Sequence, residues 1–109
     1  MSGVVKISQG DEKQLMEAVA TVGPVAAAVD ATANAFRFYS SGILDVSHWS
    51  ESNAVHGVLI TGYGIFNDQK YWLVRNSWGE YWGNKGYIMM SRDKYNQCGI
   101  ASSASYPTL

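Results

Sequence analysis

Apolar and polar residues follow a helical spacing in one early segment and a strand-like spacing in most of the remaining chain. Ser8–Asp11 supplies capping residues ahead of Glu12–Val22. Within that segment the apolar residues that recur at helical spacing are Leu15, Met16, Val19, Ala20 and Val22. Gly23 and Pro24 then interrupt the pattern. The sequence therefore predicts one amphipathic helix near the N-terminus.

Short apolar runs separated by turn residues predict strands downstream of this helix. The continuous run Val25–Val29 is typical of a strand buried on both faces. Ala33–Tyr39 predicts a short helical turn, and Leu44–Asn53 predicts a polar loop. Further strands are predicted near Val55–Tyr63, Tyr71–Asn76 and Gly86–Ser91, and the last residues are expected to be extended. We therefore expect an α+β fold, an antiparallel β-barrel-like sheet with one packed N-terminal helix.

The polar segment Phe66–Gln69 lies between two of these strands and predicts a hairpin loop. If the strands fold about residues 65–68, the numbers of paired residues sum to roughly 130–136. His56 then faces a residue in a window that includes Asn76. An asparagine oxygen that accepts from one imidazole nitrogen fixes the histidine tautomer and leaves the other nitrogen free for proton transfer.

Several motifs occur in a fixed order around these two residues. They are Ala20-Thr-Val-Gly-Pro24, Phe36-Arg-Phe-Tyr-Ser-Ser-Gly42, His56-Gly-Val-Leu59, Gly62-Tyr-Gly64, Tyr71-Trp-Leu-Val-Arg-Asn-Ser-Trp-Gly79 and Asn96-Gln-Cys-Gly99. With these motifs the chain resembles the C-terminal half of the papain-like cysteine peptidases, and within them the cathepsin L group. Asn34–Phe38 and Lys94–Gly99 also resemble silicateins, mineral-forming sponge relatives in which serine replaces the nucleophilic cysteine.

The resemblance implies hydrolysis of peptide or protein substrates through a thioester intermediate. In that reaction His56 would serve as general base and acid, and Asn76 would orient its ring. Trp78 would shield the bond between them from water, and Trp82 would form the platform for the first residue of the leaving group.

The resemblance also implies a substrate pocket. Four small residues match the walls around the side chain two residues before the cut: Ala28, Ala54, Gly57 and Ser103. Small walls leave room for a bulky apolar group.

The nucleophile of such a site is missing from the sequence. The family signature places its cysteine near the mature N-terminus, about 130–150 residues before the histidine and asparagine. The lone cysteine of this chain, Cys98, follows both residues, at a position that in the family forms a disulfide. The family partner position is Trp49, and Val55 replaces the usual acidic or amide residue before the histidine. We therefore expect a free thiol, a partner N-terminal half that carries the nucleophile, and no activity of this chain alone.

Two other interpretations of this incomplete site stay open. The chain can be a silicatein-like or other non-peptidase relative, whose nucleophile would be serine. Alternatively, it can be an excised or engineered domain that stands alone.

Composition narrows the remaining possibilities. With 109 residues and 47% hydrophobic residues, we expect a single domain over residues 4–109, preceded by an added start sequence at residues 1–3. A net charge of −1 and a pI of about 6.0 argue against binding to nucleic acid or to an anionic membrane.

Metal and cofactor binding are not predicted. Asp45, His48, Glu51 and His56 do not have the spacing of a known metal site. Gly62 and Gly64 lack the third glycine and the following helix of a phosphate-binding loop. No targeting signal is recognised, and the resemblance implies a lysosomal or secreted location. We also expect the surface around His56 to be apolar, which makes self-association possible.

Overall fold

The computed structural model describes residues 3–108. Its strands are β1 (Gly3–Lys6), β2 (Val25–Asp30), β3 (Ile43–Leu44), β4 (Ala54–Phe66), β5 (Gln69–Arg75), β6 (Tyr87–Ser91) and β7 (Ser105–Thr108). Its helices are α1 (Glu12–Thr21) and α2 (Asn34–Arg37), with 3-10 turns at Glu51–Asn53 and Gln97–Gly99. Of the start sequence predicted at residues 1–3, Met1 and Ser2 lie outside the described residues, and Gly3 is the first residue of β1.

The strands form one seven-stranded sheet in the order β1-β7-β2-β4-β5-β6-β3. All neighbours are antiparallel except β3 and β6, which are parallel. The α+β class with one main helix is therefore confirmed. Among residues 3–108, no helix combines the length and apolar character needed to cross a membrane.

Helix α1 begins at the predicted cap and ends one residue early. The Asp11 carboxylate accepts from the backbone N–H of Gln14 at 3.0 Å, while the Gln14 side chain accepts from the backbone N–H of Ser8 at 2.8 Å. The buried apolar face consists of Leu15, Ala18 and Val19. The prediction was wrong for Ala20 and Val22, which are exposed. Ala20 lies one step around the helix from the buried stripe, and Val22 follows its last turn.

Strand β2 is buried on one face, so the prediction of burial on both faces was wrong. Val25, Ala27 and Val29 are buried, whereas Ala26 is exposed and Ala28 is half-buried. The continuous apolar run therefore reflects small alanines on the outer face of the sheet.

The predicted hairpin between β4 and β5 is confirmed. Phe66 pairs with Gln69, and the two residues between them, Asn67 and Asp68, both have a positive φ. That combination is a type I′ turn, whose twist matches the twist of paired strands. A register shift between Ile60 and Gly62 interrupts the ladder.

The loop predicted over Leu44–Asn53 is less polar and more ordered than expected. Leu44 is buried, and it belongs to the two-residue strand β3 beside β6. The Ser91 hydroxyl donates to the Leu44 carbonyl at 2.7 Å. Strands this short carry no alternation that a sequence pattern can reveal.

The core lies between α1 and one face of the sheet. Its largest fully buried side chains are Trp72, Phe36, Leu15, Ile60, Ile88, Met90 and Ile100. One charged side chain joins them: Arg92 is 7% exposed, and its guanidinium lies 5.2 Å from the ring centroid of Tyr63. It also donates to the Gly64 carbonyl at 3.1 Å, so the buried charge is compensated.

Candidate active site

His56 and Asn76 lie together at one end of the β4–β5 hairpin. His56 is the third residue of β4, and Asn76 directly follows β5. The Nε2 atom of His56 lies 2.7 Å from the Oδ1 atom of Asn76. The register of the hairpin thus places the asparagine where the sequence predicted it. When Nε2 carries the proton and donates it to this oxygen, Nδ1 is the free basic nitrogen.

The Asn76 side chain is held by its surroundings. It is 2% exposed, and its Oδ1 atom also accepts from the backbone N–H of Ser77 at 2.7 Å. Its own backbone N–H donates to the Gly86 carbonyl at 2.9 Å. With two donors on one oxygen, the amide has a fixed orientation toward the imidazole.

An aromatic cluster supports the histidine, and it centres on Phe36. The Phe36 ring is fully buried, and its centroid lies 6.2 Å from the ring of His56. It also contacts Trp78 at 5.5 Å edge to face and Trp82 at 5.3 Å. Sequence reasoning did not assign Phe36 to the site. Phe36 begins one of the motifs that carry the family resemblance, but an aromatic residue in a short helical turn gives no indication from sequence that it contacts His56.

Trp78 covers one side of the imidazole. The two ring centroids are 4.8 Å apart with an interplanar angle of 43°, and the indole is 43% exposed. Trp78 therefore excludes water from one face of His56 and presents its own outer face to solvent.

Trp82 joins α2 to the segment that follows β5. Its indole N–H donates to the Arg37 carbonyl at 2.9 Å, and this carbonyl is at the C-terminal end of α2. The bond fixes α2 beside the aromatic cluster.

Three of the four predicted pocket residues lie close together. Ala28 pairs directly with Gly57 across β2 and β4, next to the Val29–His56 pair, and Ala54 pairs with Asp30. Gly57 also lines an open groove of about 480 Å³ that reaches Asn76.

The fourth residue, Ser103, is exposed. It lines a separate cavity of about 230 Å³ with Lys6, Ile7, Ser102, Ala104 and Ser105. The described structure therefore brings Ala28, Ala54 and Gly57 together and leaves Ser103 in a different cavity.

Cys98 does not belong to the site. It is 1% exposed and is a free cysteine. Burial, with a smaller contribution from the charges of Asp30 and Asp45, raises the pKa of its thiol to about 12. A thiol with such a pKa is protonated at neutral pH and is not a nucleophile. Trp49, at the predicted partner position, is half-buried and packs against the core that contains Cys98.

No candidate metal site accompanies these residues. Within the part of the chain that the structure describes, no three His, Cys, Asp or Glu side chains are grouped so that they could hold a metal ion.

Comparisons with known proteins show which sequences and structures the chain is similar to. The family model of papain family cysteine proteases matches residues 1–108. The chain is 52% identical to a silicatein of Petrosia ficiformis over 99% of this chain and 32% of the silicatein. It is 50% identical to cathepsin L2 of Homo sapiens over 99% of this chain and 34% of that protein.

Solved structures give the same result. The digestive procathepsin L 3 of Tenebrio molitor larval midgut superposes with a TM-score of 0.94 and 47% identity, over 100% of this chain and 36% of that chain. The chain thus spans about a third of the length of the curated relatives it matches.

Proposed function

Because this chain belongs to the papain family of cysteine proteases, we propose that it supplies the histidine and asparagine of a cathepsin L-like active site that hydrolyses peptide bonds. The observation that carries the proposal is the 2.7 Å contact between His56 Nε2 and Asn76 Oδ1. It leaves Nδ1 as the only imidazole nitrogen available for proton transfer.

The proposed mechanism uses His56 twice in each half-reaction. Nδ1 first accepts the proton of a cysteine thiol, and the thiolate attacks the scissile carbonyl. The imidazolium then gives that proton to the leaving amine as the carbon–nitrogen bond breaks, which produces a thioester. His56 next takes a proton from water, whose oxygen attacks the thioester, and returns the proton to the departing sulfur. Asn76 holds the ring in one orientation through these four transfers.

The nucleophile must come from another segment of polypeptide. Cys98, the lone cysteine of this chain, is buried, and its thiol has a pKa of about 12. We propose that a folded N-terminal half provides the nucleophile, as part of the same longer protein or as a separate polypeptide. By itself this chain has only water to attack the carbonyl and lacks the nucleophile's share of oxyanion stabilisation, so it should not hydrolyse peptides.

Substrate selection on the acyl side follows from the small residues beside His56. Ala28 and Gly57 face each other across β2 and β4, with Ala54 near the start of β4. We propose that they form one wall for a bulky apolar side chain, and that Ser103 reaches the same pocket once the other half is present.

A hybrid protein tests this proposal directly. The N-terminal half of human cathepsin L2, a relative 50% identical over the matched region, is joined to this chain and assayed with a fluorogenic peptide. We expect turnover in the hybrid, none in His56→Ala, and about tenfold less in Asn76→Ala, the loss that one net hydrogen bond accounts for. Turnover by this chain alone that persists in His56→Ala would refute the mechanism.

A second candidate function rests on the 52% identity with the silicatein. In that case the upstream nucleophile is serine, and the activity concerns a mineral surface instead of a peptide. The residue at the nucleophile position of the natural upstream sequence separates the two functions. A thiol-alkylating reagent gives the same answer on the native protein, because it inactivates a cysteine peptidase and leaves a serine nucleophile intact.

Location and assembly follow from the same proposal. We propose a lysosomal or secreted compartment, in line with the cathepsin L-type relatives. We also propose self-association of the isolated chain, because Val55, next to His56 in the chain, is 80% exposed and Trp78, which contacts its ring, is 43% exposed. Sedimentation that shows only monomer at high concentration would contradict the second point.

A further inference from the structure

The aromatic side of the site carries a cation, Arg37, that has no acidic partner among residues 3–108. Arg37 is exposed, and its guanidinium carbon lies 5.8 Å from the ring centroid of Phe38. Within residues 3–108 it is absent from the ion pairs. Phe38 is itself 76% exposed. The two side chains form an open surface that is cationic and apolar at once.

This surface is fixed close to His56. Phe36, one residue before Arg37, contacts the imidazole at 6.2 Å between ring centroids. The Arg37 carbonyl accepts from the Trp82 indole at 2.9 Å, and Trp82 contacts Trp78 at 5.3 Å. Two independent contacts therefore hold the backbone of Arg37 beside the proton-transferring ring.

The direction of the peptide follows from the proposed function, on which this inference rests. His56 gives its proton to the leaving amine, so the amine nitrogen lies next to the imidazole. The residues that follow it in the substrate then pass over a surface that adjoins His56. The wall formed by Ala28 and Gly57 is assigned to the acyl side. The exposed surface of Arg37 and Phe38 is assigned to the leaving side.

We propose that Arg37 is a specificity-determining residue, which selects substrates with an acidic residue on the leaving-group side of the scissile bond. A peptide carboxylate near the guanidinium gains a charge-assisted interaction, and a lysine at the same place is repelled. Phe38 offers apolar contact to the peptide beside that charge.

Nearby acidic residues do not neutralise this cation in the described structure. Glu80, two residues before Trp82, is exposed and absent from the ion pairs formed by residues 3–108. The charge of Arg37 is therefore available to a ligand.

Matched peptides cleaved by the hybrid protein test the proposal. All peptides have the same residues before the scissile bond. They carry Glu, Gln or Lys at one of the first three positions after it, each position being tested in turn. We expect kcat/KM for Glu to exceed that for Lys by about three- to fivefold at one of these positions, the effect of an exposed ion pair. The preference should shrink at about 0.5 M salt, because screening then acts over only a few ångströms.

Variants assign the effect to Arg37. The preference should disappear in Arg37→Gln, reverse in Arg37→Glu and persist in Arg37→Lys. Lys13→Gln removes an exposed cation on α1 and should change nothing. An equal rate for Glu and Lys peptides, or a preference unchanged in Arg37→Gln, would overturn the proposal.

A binding measurement separates this proposal from the proposed function. In the His56→Ala hybrid, Glu and Lys peptides are compared by the fluorescence of the tryptophans next to the site. We expect about threefold tighter binding of the Glu peptide, again lost in Arg37→Gln. Equal binding overturns the role of Arg37. If the hybrid that retains His56 shows no turnover while the His56→Ala hybrid still binds the Glu peptide more tightly, the role of Arg37 stands and the catalytic proposal is rejected.

Discussion

The carboxylate of Glu12 accepts a hydrogen bond of 2.9 Å from the indole N–H of Trp72, 60 residues further along the chain. Glu12 is 8% exposed and Trp72 is fully buried. The same carboxylate also accepts from the backbone N–H of Asp93 and of Asn96, each at 3.0 Å. One buried anion therefore joins the start of α1, the middle of β5 and the loop after β6.

Removal of this carboxylate should destabilise the fold strongly. In Glu12→Ala three buried or half-buried N–H groups lose their acceptor, and we expect the free energy of unfolding to fall by about 3–4 kcal/mol. Urea denaturation measures the loss. Glu17→Ala, at an exposed position of the same helix, should stay within about 0.5 kcal/mol of the parent. Equal effects of the two substitutions would contradict the role of the network.

A fall in pH should lower the stability of the fold, partly because Asp30 becomes protonated. Burial raises the pKa of this carboxyl, but hydrogen bonds from the Thr32 hydroxyl, the Thr32 N–H and the Ser50 N–H outweigh it, so the net pKa lies below 3.8. The folded state thus favours the charged carboxylate. Its contribution to stability is fully present above the unfolded pKa of about 3.9 and is lost as the pH falls through the lower folded value.

Asp30→Asn should reveal this contribution in urea titrations between about pH 6 and pH 2. We expect the variant to be less stable than the parent at pH 6 and the difference to narrow toward pH 2. Asp68→Asn, in the exposed turn of the hairpin, serves as the control. A constant difference between Asp30→Asn and the parent over the whole range would show that the carboxylate charge is not involved.

Cys98 should be unreactive in the folded protein. Its thiol is 1% exposed and has a pKa of about 12, so the thiolate is scarce and inaccessible at pH 8. We expect an aromatic disulfide reagent to titrate almost no thiol in native conditions and one thiol per chain in urea. Rapid reaction of one thiol without denaturant would mean that the Gln97–Gly99 turn opens readily.

Gly83 should tolerate no side chain. Its φ is +62°, and an added Cβ atom would lie 2.7 Å from the backbone carbonyl oxygen of Tyr87. We expect Gly83→Ala to lower the unfolding free energy by well over the roughly 1–2 kcal/mol that a positive φ alone costs alanine. Gly42→Ala provides the matched control, because Gly42 has φ +81° with no atom within 4 Å of an added Cβ. Thermal unfolding distinguishes the two, and equal losses would reject the steric argument.

The sequence predicted the elements whose pattern is local. The hairpin turn at Asn67 and Asp68 is encoded by adjacent residues and sets the register next to the turn. The register shift between Ile60 and Gly62 then adjusts the pairing before the two strands bring His56 to Asn76. Strand β1 was not predicted, because its four residues show only a weak alternation of polar and apolar side chains and pair with β7, which is distant in the sequence.

The pattern of polar and apolar residues does not reveal buried charged side chains either. From the sequence alone, Glu12 and Arg92 are expected at the surface, because their burial depends on partners far along the chain. The position of Phe36 in the site was not predicted for the same reason. Its place beside His56 follows from the packing of α2 against the segment after β5, which no local periodicity records.

The strand order also has a kinetic consequence. In β1 and β7, Gly3 pairs with Thr108, whereas β4, β5 and β6 are consecutive neighbours joined by connections of two and 11 residues. Closing a long loop costs more entropy and slows pairing, so the three-strand meander should form before the outer edge is added. His56 and Asn76 meet within the meander, and their hydrogen bond should outlast fraying of that edge. Amide exchange slow in β4 and β5 and fast in β1 and β7 would be the signature of this order.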